Sequence, residues 1–475
     1  MKKLLCLVLA LALLAMTFVS FAEEAEEKKY DLQGMTVKVR NWDSPNPYDP
    51  ECDPVDVEKW LPIYEAAKEK YNCNFEFYVP TVEYDEFTTE WLQSIASGTP
   101  AWHITNNFSA MWLLTMTGNG GLEDITAALD TIEMPELFKN TVTAGGKAYG
   151  FVTDYQGTEG LVYNRQMIEE AGMEYTPTEM FMNGNWSYND FYDYMVELQS
   201  KLPEGCYAFF IDPNYWNIFA SAANGTQHVD NAMNITMTSD AYIETMEFLQ
   251  KLWNAGVCRM PNVTESGSYD NWGTPSATFD QGVEVAMTHR AMWQVGGLNN
   301  NGVDWGFVPY PWGSNVTCDG DYTTLSDNYR AAYYDFGCMG QILAGVENDF
   351  PGIEKDYLIE ALVNLTYDLF VTEEKQADLA AKAAGAEEEK EMELGSFNTM
   401  EDAIVYNFLL ERTVYNNSST ISDYTECTFN DHPNIDWFGS AIRYAVYDNL
   451  SMRAVLEAIA PQIEANLVAA GLKAE

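Results

Sequence analysis

Residues 35–105 alternate between strand and helix patterns, and this order constrains the fold more than any other feature of the chain. Short apolar or alternating runs at residues 35–39, 74–79 and 101–105 predict strands. Between them, residues 57–71 and 84–97 carry apolar side chains at helical spacing. Strand, helix, strand, helix, strand is the opening of a doubly wound α/β domain, so we expect a largely parallel sheet here.

A second α/β unit begins after residue 150, and the last third of the chain is mostly helical. Residues 161–163 and 207–211 predict strands, while residues 188–201 and 240–254 predict helices. The helices predicted after residue 353 cover residues 357–370, 373–384, 400–415, 437–449 and 452–470. A chain of 475 residues has room for two or three domains. We expect an α/β protein with a helix-rich C-terminal region.

The N-terminal 22 residues have the composition of a secretory signal peptide. Lys2 and Lys3 precede an uncharged apolar run at residues 4–19, and small residues flank Phe21 at the predicted cleavage site. We predict that residues 1–22 are removed on export and that residues 23–33 form a flexible lead-in. An uncleaved membrane anchor is the alternative, although the run is short for a span of about 20 residues. Cys6 lies too early to form a lipobox, so no motif supports a lipid anchor.

The charge balance narrows the classes of partner. The chain has 25 Lys and Arg against 72 Asp and Glu, a formal net charge of −47, and loss of the signal removes two more lysines. Nucleic acids and anionic membrane surfaces are excluded as partners, since Lys and Arg provide the affinity for phosphate. A highly anionic small ligand is also disfavoured, unless cations such as Arg290 gather at its site. With 47% hydrophobic residues the chain can still build full cores.

Cysteine and histidine give no sign of a metal or cofactor. Seven cysteines remain after the signal, an odd number, so at least one is unpaired within a monomer. Their scattered positions fit small buried side chains better than a disulfide framework, but the sequence leaves the pairing open. The four histidines lack zinc-ligand spacing, and we expect neither a metal nor a cofactor.

Six segments of the chain, in the order in which they occur, resemble segments of the extracellular solute-binding proteins of ABC transporters, in the family 1 or maltose-binding-like group. The most specific is residues 160–172 (GLVYNRQMIEEAG), which resembles that family's Tyr-Asn-Lys followed by a short helix and Ala-Gly. The other five are residues 92–100, 121–126, 279–293, 305–311 and 451–467. The chain departs from the family pattern at residues 100–103, where Pro-Ala-Trp-His replaces Pro-Asp-Val, and in lacking a lipobox.

The resemblance implies a two-lobe, type II periplasmic-binding-protein-like fold that closes on its ligand like a hinge. On that basis we expect a monomeric, exported protein that captures a carbohydrate, most simply an oligosaccharide, and delivers it to the transmembrane subunits of an ABC permease. No covalent chemistry is implied. The expected boundaries are residues 34–153 and 307–372 for lobe 1, and residues 154–306 and 373–475 for lobe 2, with the last segment helical.

A sugar binder needs flat aromatic rings for the C–H faces of the sugar and planar polar groups for its hydroxyls. Aromatic and polar residues in loops, at predicted strand ends and in the inter-lobe crossing are therefore the candidates for ligand contact. The candidate ligand-binding residues are Trp42, Asp43, Trp102, Tyr155, Gln156, Glu159, Trp216, Trp272, Arg290, Trp293 and Trp312. Trp60, Trp91, Trp253 and Trp437 stand at helical spacing with apolar residues, so we assign them to the cores.

Two other functions stay open from the sequence alone. A secreted glycoside hydrolase needs two carboxylates across a sugar, and 72 acidic residues do not exclude that. A surface adhesion protein without coupling to transport is the third reading. The chain has no GxSxG nucleophile elbow, no P-loop and no GxGxxG after a strand, so we expect no enzyme of those classes. Turnover of an oligosaccharide would favour the hydrolase, and tight binding without product would favour the binding protein.

Overall fold

The structure, a computed structural model, divides the chain between two hydrophobic cores. It describes residues 30–41, 46–78, 87–98, 100–107, 113–134, 139, 143–144, 146–154, 159–230, 232–265, 267–333, 338–371, 395–415, 424–470 and 472–473. The predicted signal peptide, most of the predicted lead-in and the predicted helix at residues 373–384 lie outside these ranges. No helix in the described ranges has the length and apolar character that crossing a bilayer requires.

Strands and helices are numbered in chain order. The strands are β1 (Thr36–Asn41), β2 (Asn74–Phe77), β3 (Ile104–Asn107), β4 (Thr143–Ala144), β5 (Lys147–Ala148), β6 (Phe151–Asp154), β7 (Gly160–Asn164), β8 (Asn262–Val263), β9 (Tyr269–Asp270), β10 (Met287–Arg290), β11 (Trp305–Val308), β12 (Ala331–Tyr333), β13 (Cys338–Ile342) and β14 (Thr413–Tyr415). The helices are α1 (Pro54–Tyr71), α2 (Phe87–Ala96), α3 (Leu113–Gly118), α4 (Arg165–Glu170), α5 (Pro177–Met182), α6 (Tyr188–Lys201), α7 (Pro213–Ala223), α8 (Asp240–Asn254), α9 (Gly273–Thr278), α10 (Val295–Asn300), α11 (Lys355–Phe370), α12 (Met400–Glu411), α13 (Phe438–Tyr447) and α14 (Met452–Ala469).

Lobe 1 is built on a five-stranded sheet with strand order β2-β1-β3-β13-β6. β1 pairs in parallel with β2 and β3, as the strand–helix alternation predicts, and β13 is antiparallel to both β3 and β6. Val37 and Val39 of β1 are fully buried, and α11 packs across the sheet. The third strand begins at Ile104 rather than Ala101, so Trp102 precedes it.

Local sequence signals set the ends of the long helix of lobe 1. The Asp53 side chain accepts a hydrogen bond from the Val55 N–H, and Pro54 occupies the first turn, where its missing N–H costs nothing. The helix ends at Asn72, which takes the left-handed conformation at φ 45°. α1 therefore starts three residues before the predicted residue 57 and ends at the predicted residue 71.

Lobe 2 contains the antiparallel sheet β10-β7-β11, surrounded by helices. Every residue of β7 is buried, as expected for a central strand with both faces covered. Gly306 of β11 faces the Tyr163 ring so closely that a Cβ there would lie 2.2 Å from it. Residues 207–211, predicted as a strand, form isolated parallel bridges instead, and one of these joins Phe210 to Thr288 of β10.

A buried carboxylate fastens the C-terminal helices to lobe 2. Asp402 at the start of α12 is fully buried and receives hydrogen bonds from the Phe307 N–H and the Thr178 hydroxyl, both at 3.0 Å. Its other oxygen accepts from Arg165 and, at 2.8 Å, from the Thr399 hydroxyl. Residues from Phe397 to Leu467 accordingly share the lobe 2 core with Leu161 to Ala332.

The predicted lobe boundaries need one correction. Residues 307–332 were expected in lobe 1, but β11 hydrogen-bonds to β7, and Tyr310 and Tyr329 pack in the lobe 2 core. β12 also pairs with β14, within the C-terminal region. The chain therefore returns to lobe 1 between β12 and β13, about 30 residues later than predicted, and the lobe 1 core resumes at Met339.

The cysteines with described side chains are all free. Cys73, Cys258 and Cys427 are buried, and Cys52, Cys206 and Cys318 are half-buried. Burial raises the pKa of the Cys73 and Cys427 thiols to about 12. These thiols therefore stay protonated at neutral pH and pack as small apolar groups.

Candidate functional site

The carboxyl ends of the lobe 1 strands form an edge that we call the lobe 1 rim. β1, β3 and β6 run in the same direction and end there at Asn41, Asn107 and Asp154, and β13 begins there at Cys338. The first connection to lobe 2 leaves after Asp154, and the second returns at Cys338. Ligands of open α/β sheets bind outside this kind of edge.

Lobe 2 has a corresponding edge, the lobe 2 rim. β7 begins there just after Glu159, and β10 and β11 end there at Arg290 and Val308. The segment 207–211 ends there too, at the N-terminus of α7. Glu159 follows Asp154 by five residues, and five residues of chain span at most about 18 Å. The two rims are therefore neighbours, and the space between them is the candidate site.

A hydrogen-bonded chain of three side chains lies on the lobe 2 rim. His289 Nε2 is 2.9 Å from Glu159 Oε2, and His289 Nδ1 is 2.9 Å from the Tyr310 hydroxyl. When Nε2–H donates to the carboxylate, Nδ1 accepts from the Tyr310 O–H, so both ring nitrogens are occupied. The Glu159 side chain is 13% exposed, and no described residue donates to its Oε1. That oxygen can accept a hydrogen bond from a ligand.

Aromatic rings surround the hydrogen-bonded side chains of Glu159, His289 and Tyr310. Tyr215 and Phe219 of α7 stack on the His289 ring, with centroid distances of 4.5 and 4.8 Å. Phe219 also stacks on Tyr310 at 5.6 Å. Burial, together with the nearby Glu159 carboxylate, raises the pKa of Tyr310 well above its usual range, so its hydroxyl stays a hydrogen-bond donor. Tyr215 is half-buried and is the ring of this group with exposed surface.

Two arginines on the lobe 2 rim are each bound to a carboxylate. Arg290 donates to Asp280 Oδ1 from Nε at 2.9 Å and from Nη2 at 2.6 Å, and to the His289 carbonyl from Nη1. Arg443 of α13 donates to both oxygens of Asp212, the N-cap of α7, at 2.9 and 2.5 Å. Such paired contacts fix both guanidinium groups.

On the lobe 1 side, a buried cation lies one residue before the end of β1. The Arg40 guanidinium carbon is 5.3 Å from the centre of the Trp102 ring, in a cluster with Tyr78 and Glu90. Burial lowers the pKa of Arg40 to about 10, while Glu90 and Tyr78 act in the opposite direction. The sequence did not point to this cluster, since its members come from β1, α2 and two loops.

Comparison with known proteins identifies the family. The family described as bacterial extracellular solute-binding protein matches residues 63–332, more than half of the chain. The chain belongs to this family. Membership implies an extracytoplasmic location for this solute-binding protein, in agreement with the predicted export, and it confirms the resemblance found in the sequence motifs. A search of curated proteins found no match.

Solved structures confirm the two-lobe fold of this solute-binding protein. An ABC substrate-binding protein of Listeria monocytogenes, in complex with cycloalternan, has a TM-score of 0.58 at 14% identity over 93% of this chain and 100% of that one. The cyclic alpha-maltosyl-1,6-maltose binding protein of Arthrobacter globiformis has a TM-score of 0.62 at 14% identity, covering 91% and 99%. Mycobacterium tuberculosis UgpB, in complex with glycerophosphocholine, has a TM-score of 0.57 at 14% identity, covering 92% and 98%.

The structure corrects three of the predicted ligand contacts of the solute-binding protein. Trp102 and Trp216 are fully buried and Trp312 is 3% exposed, each in a lobe core. The Trp216 indole N–H donates to the Thr245 carbonyl, and its ring packs against Phe209 and other core rings. A sugar could reach these rings only by displacing packed side chains, so they are structural. The prediction had rested on their places in a predicted strand region, at a predicted helix start and in a loop.

The other candidates have different outcomes. Glu159 and Arg290 lie on the lobe 2 rim, Arg290 being bound to Asp280, and Trp272 is 59% exposed at the start of α9. Trp293 follows β10 in a short 3-10 turn, with its side chain outside the described residues. Trp42, Asp43, Tyr155 and Gln156 also lie outside the described residues.

Sequence reasoning missed His289, Tyr310 and Tyr215. His289 and Tyr310 each belong to a family-like motif, and Tyr215 is adjacent to a predicted site residue. Their partnership depends on β7 lying between β10 and β11 and on α7 starting at the same edge, which no sequence signal shows. Among the described residues, no group of three or more His, Cys, Asp or Glu side chains could hold a metal ion.

Proposed function

We propose that the protein captures a carbohydrate, most simply an oligosaccharide, outside the cytoplasm and delivers it to an ABC permease. The observation that carries the proposal is the lobe 2 rim, where an accessible carboxylate oxygen of Glu159 stands beside the partly exposed ring of Tyr215. A sugar needs this combination, because its C–H face stacks on a ring while its hydroxyls bind carboxylates. Of the similar solved structures, the Listeria protein is in complex with cycloalternan, and the Arthrobacter protein is named for the binding of cyclic alpha-maltosyl-1,6-maltose.

The sequence of the segments that adjoin the two rims supports the same ligand class. Residues 42–45, 79–86, 108–112, 155–158 and 334–337 follow or join the strand ends of lobe 1. These 25 residues include seven aromatic ones, twice the 14% share of the whole chain. Trp42, Asp43, Tyr155 and Gln156 belong to them and stay proposed ligand contacts, as do Trp293 and the exposed Trp272.

In the proposed mechanism the two lobes close on the sugar, which becomes buried between the rims. Closure removes water from Glu159 and Tyr215, and this strengthens the hydrogen bonds to the ligand. No bond of the ligand is broken, so the protein works as a carrier and not as an enzyme, and the monomer suffices.

A thermal-shift screen of the mature chain tests this proposal, using gluco-, galacto-, xylo- and mannooligosaccharides of one to four units. A ligand of the folded state raises the melting temperature by mass action. Calorimetry then measures the affinity of the best sugar for wild type and for the Glu159→Ala, Trp42→Ala and Trp293→Ala variants. We expect each variant to bind at least about tenfold more weakly, the loss of one good polar or stacking contact.

Glu284→Ala is the matched control, because Glu284 pairs with Arg259 at the opposite end of β10 from the lobe 2 rim. It is expected to bind like wild type. Equal binding by all three site variants would refute the proposed site, and the absence of any shift would refute carbohydrate binding. Chromatography of the incubated sugar checks for product, whose appearance would favour a glycoside hydrolase.

A further inference from the structure

Both arginines among the described residues of the lobe 2 rim are already bound to carboxylates. Arg290 is bound to Asp280 through two nitrogens, and Arg443 is bound to both oxygens of Asp212. Each pair is electrically neutral, and the carboxylate occupies the Nε/Nη2 edge of the guanidinium group. Among the described side chains of the rim, the Glu159 carboxylate is the remaining full charge, so these side chains together are negative.

His289 does not provide a hydrogen-bond donor or a positive charge to a ligand. Its Nε2 faces Glu159 and its Nδ1 faces Tyr310, each at 2.9 Å, while Tyr215 and Phe219 cover the ring. With 5% of the residue exposed, neither N–H can be directed at a ligand. The histidine instead fixes Glu159 Oε2 and leaves Oε1 as the accessible atom of the rim.

Arg330 lies away from the lobe 2 rim. Arg330 has its backbone N–H on the Ala222 carbonyl, at the far end of α7 from Tyr215. The sequence of the 25 residues at positions 42–45, 79–86, 108–112, 155–158 and 334–337 contains no Lys, Arg or His and has five acidic residues. The composition next to both rims therefore has the same sign as the rim itself.

We propose that Glu159, fixed by His289 and flanked by arginines already bound to carboxylates, makes the site select uncharged sugars over anionic ones. The inference rests on the proposed function and adds the ligand's charge class. The fold leaves that choice open, since solved relatives were found with cyclic oligosaccharides and with a phosphodiester. A uronate or sugar phosphate bound here would place its charge near Glu159 Oε1 in a site that excludes water, where like charges repel strongly.

The test pairs each neutral sugar with its anionic form. Maltose, cellobiose, lactose and xylobiose, together with the best sugar from the screen, are measured by calorimetry at pH 7. Each is compared with a matching sugar that carries one C6 carboxylate or, for xylobiose, one glucuronic acid branch. Wild type is expected to bind the anionic form at least about tenfold more weakly, from one repulsion in a partly desolvated site. The selectivity ratio is the affinity for the neutral sugar divided by the affinity for its anionic form. Glu159→Gln, which keeps an oxygen for the His289 N–H, should reduce this ratio at least about fivefold.

Asp280→Asn is a second, independent variant, because it releases Arg290 without touching Glu159. It should also move the ratio toward the anionic sugar. Glu284→Gln makes the same change in net charge at the opposite end of β10 and should leave the ratio as in wild type. Circular dichroism and the melting temperature verify that the variants are folded.

The outcomes separate this inference from the proposed function. Weaker binding of the anionic forms, with a ratio that falls in Glu159→Gln and Asp280→Asn alone, supports both. If wild type binds the anionic forms as tightly as the neutral ones, carbohydrate binding stands and the charge selection is refuted. An unchanged ratio in Glu159→Gln refutes the assignment to that residue. If no sugar of either kind binds, the proposed function fails and the selectivity falls with it.

Discussion

Removal of the Asp402 carboxylate is expected to destabilise lobe 2 strongly. Asp402 is fully buried, and its four hydrogen bonds come from Arg165, Thr178, Thr399 and the Phe307 backbone. In Asp402→Ala the buried Phe307 N–H loses its acceptor and the Arg165 guanidinium loses its paired charge. Breaking a buried ion pair from one side costs about 3–5 kcal/mol in the free energy of unfolding.

The same arginine provides the control. Arg165 Nε also lies 3.7 Å from Asp304, whose side chain is 61% exposed. Asp304→Ala therefore removes a carboxylate from the same guanidinium group where water can take its place. Exposed pairs of this kind contribute less than about 1 kcal/mol. The two substitutions make the same chemical change, so the difference expected between them comes from the burial of Asp402 and from the hydrogen bonds that it accepts.

Hydrogen exchange measured by mass spectrometry is the suitable assay, because a two-lobe protein need not unfold in one step. Peptides from β7, β11 and α12 should lose protection in Asp402→Ala, while peptides from β1 and β13 keep it, since they belong to the other core. Urea titration gives the loss in free energy. A loss below about 1 kcal/mol, or one equal to that of Asp304→Ala, would refute the reasoning from burial. Equal loss of protection in both lobes would refute the assignment of α12 to lobe 2.

Three further predictions follow from the cores and the rim. Burial lowers the pKa of His103 to about 4, so between pH 6.5 and 4 the unfolded chain binds a proton that the folded one does not, and stability falls as the pH falls. His103→Gln should flatten this part of an unfolding-versus-pH curve, and an unchanged slope would contradict it. Trp216→Ala should lower the free energy of unfolding, measured by urea titration, by about 3–5 kcal/mol because the ring is fully buried. The exposed Trp272→Ala should lower it by less than about 1 kcal/mol, and equal losses would contradict the prediction. His289→Gln keeps a donor for Glu159, so its sugar affinity measured by calorimetry should stay within about fivefold of wild type. His289→Phe has no such donor and should lose more affinity. Equal losses in the two variants would contradict the positioning role of His289.

Tryptophan was the least reliable guide to the site. A position at a predicted strand, helix start or loop indicated ligand contact for Trp102, Trp216 and Trp312, yet all three are buried. A large apolar ring gains the same free energy from a core as from a sugar face, so the local sequence does not distinguish the two. Glu159 lies at the lobe 2 rim, between the end of β6 and the start of β7.

By itself, the sequence determined the class of the protein and the order of its elements. Strand and helix periods, caps such as Asp53 and the family-like motifs depend on neighbours within a few residues, and physical preferences act at that range. The tertiary structure alone decided the return to lobe 1 after β12, the anchoring of α12 by Asp402 and the grouping of Glu159, His289 and Tyr310. These depend on contacts between residues that are far apart in the sequence, such as Phe307 with Asp402 and Glu159 with His289, and the free energy of such contacts exists only once the cores have formed.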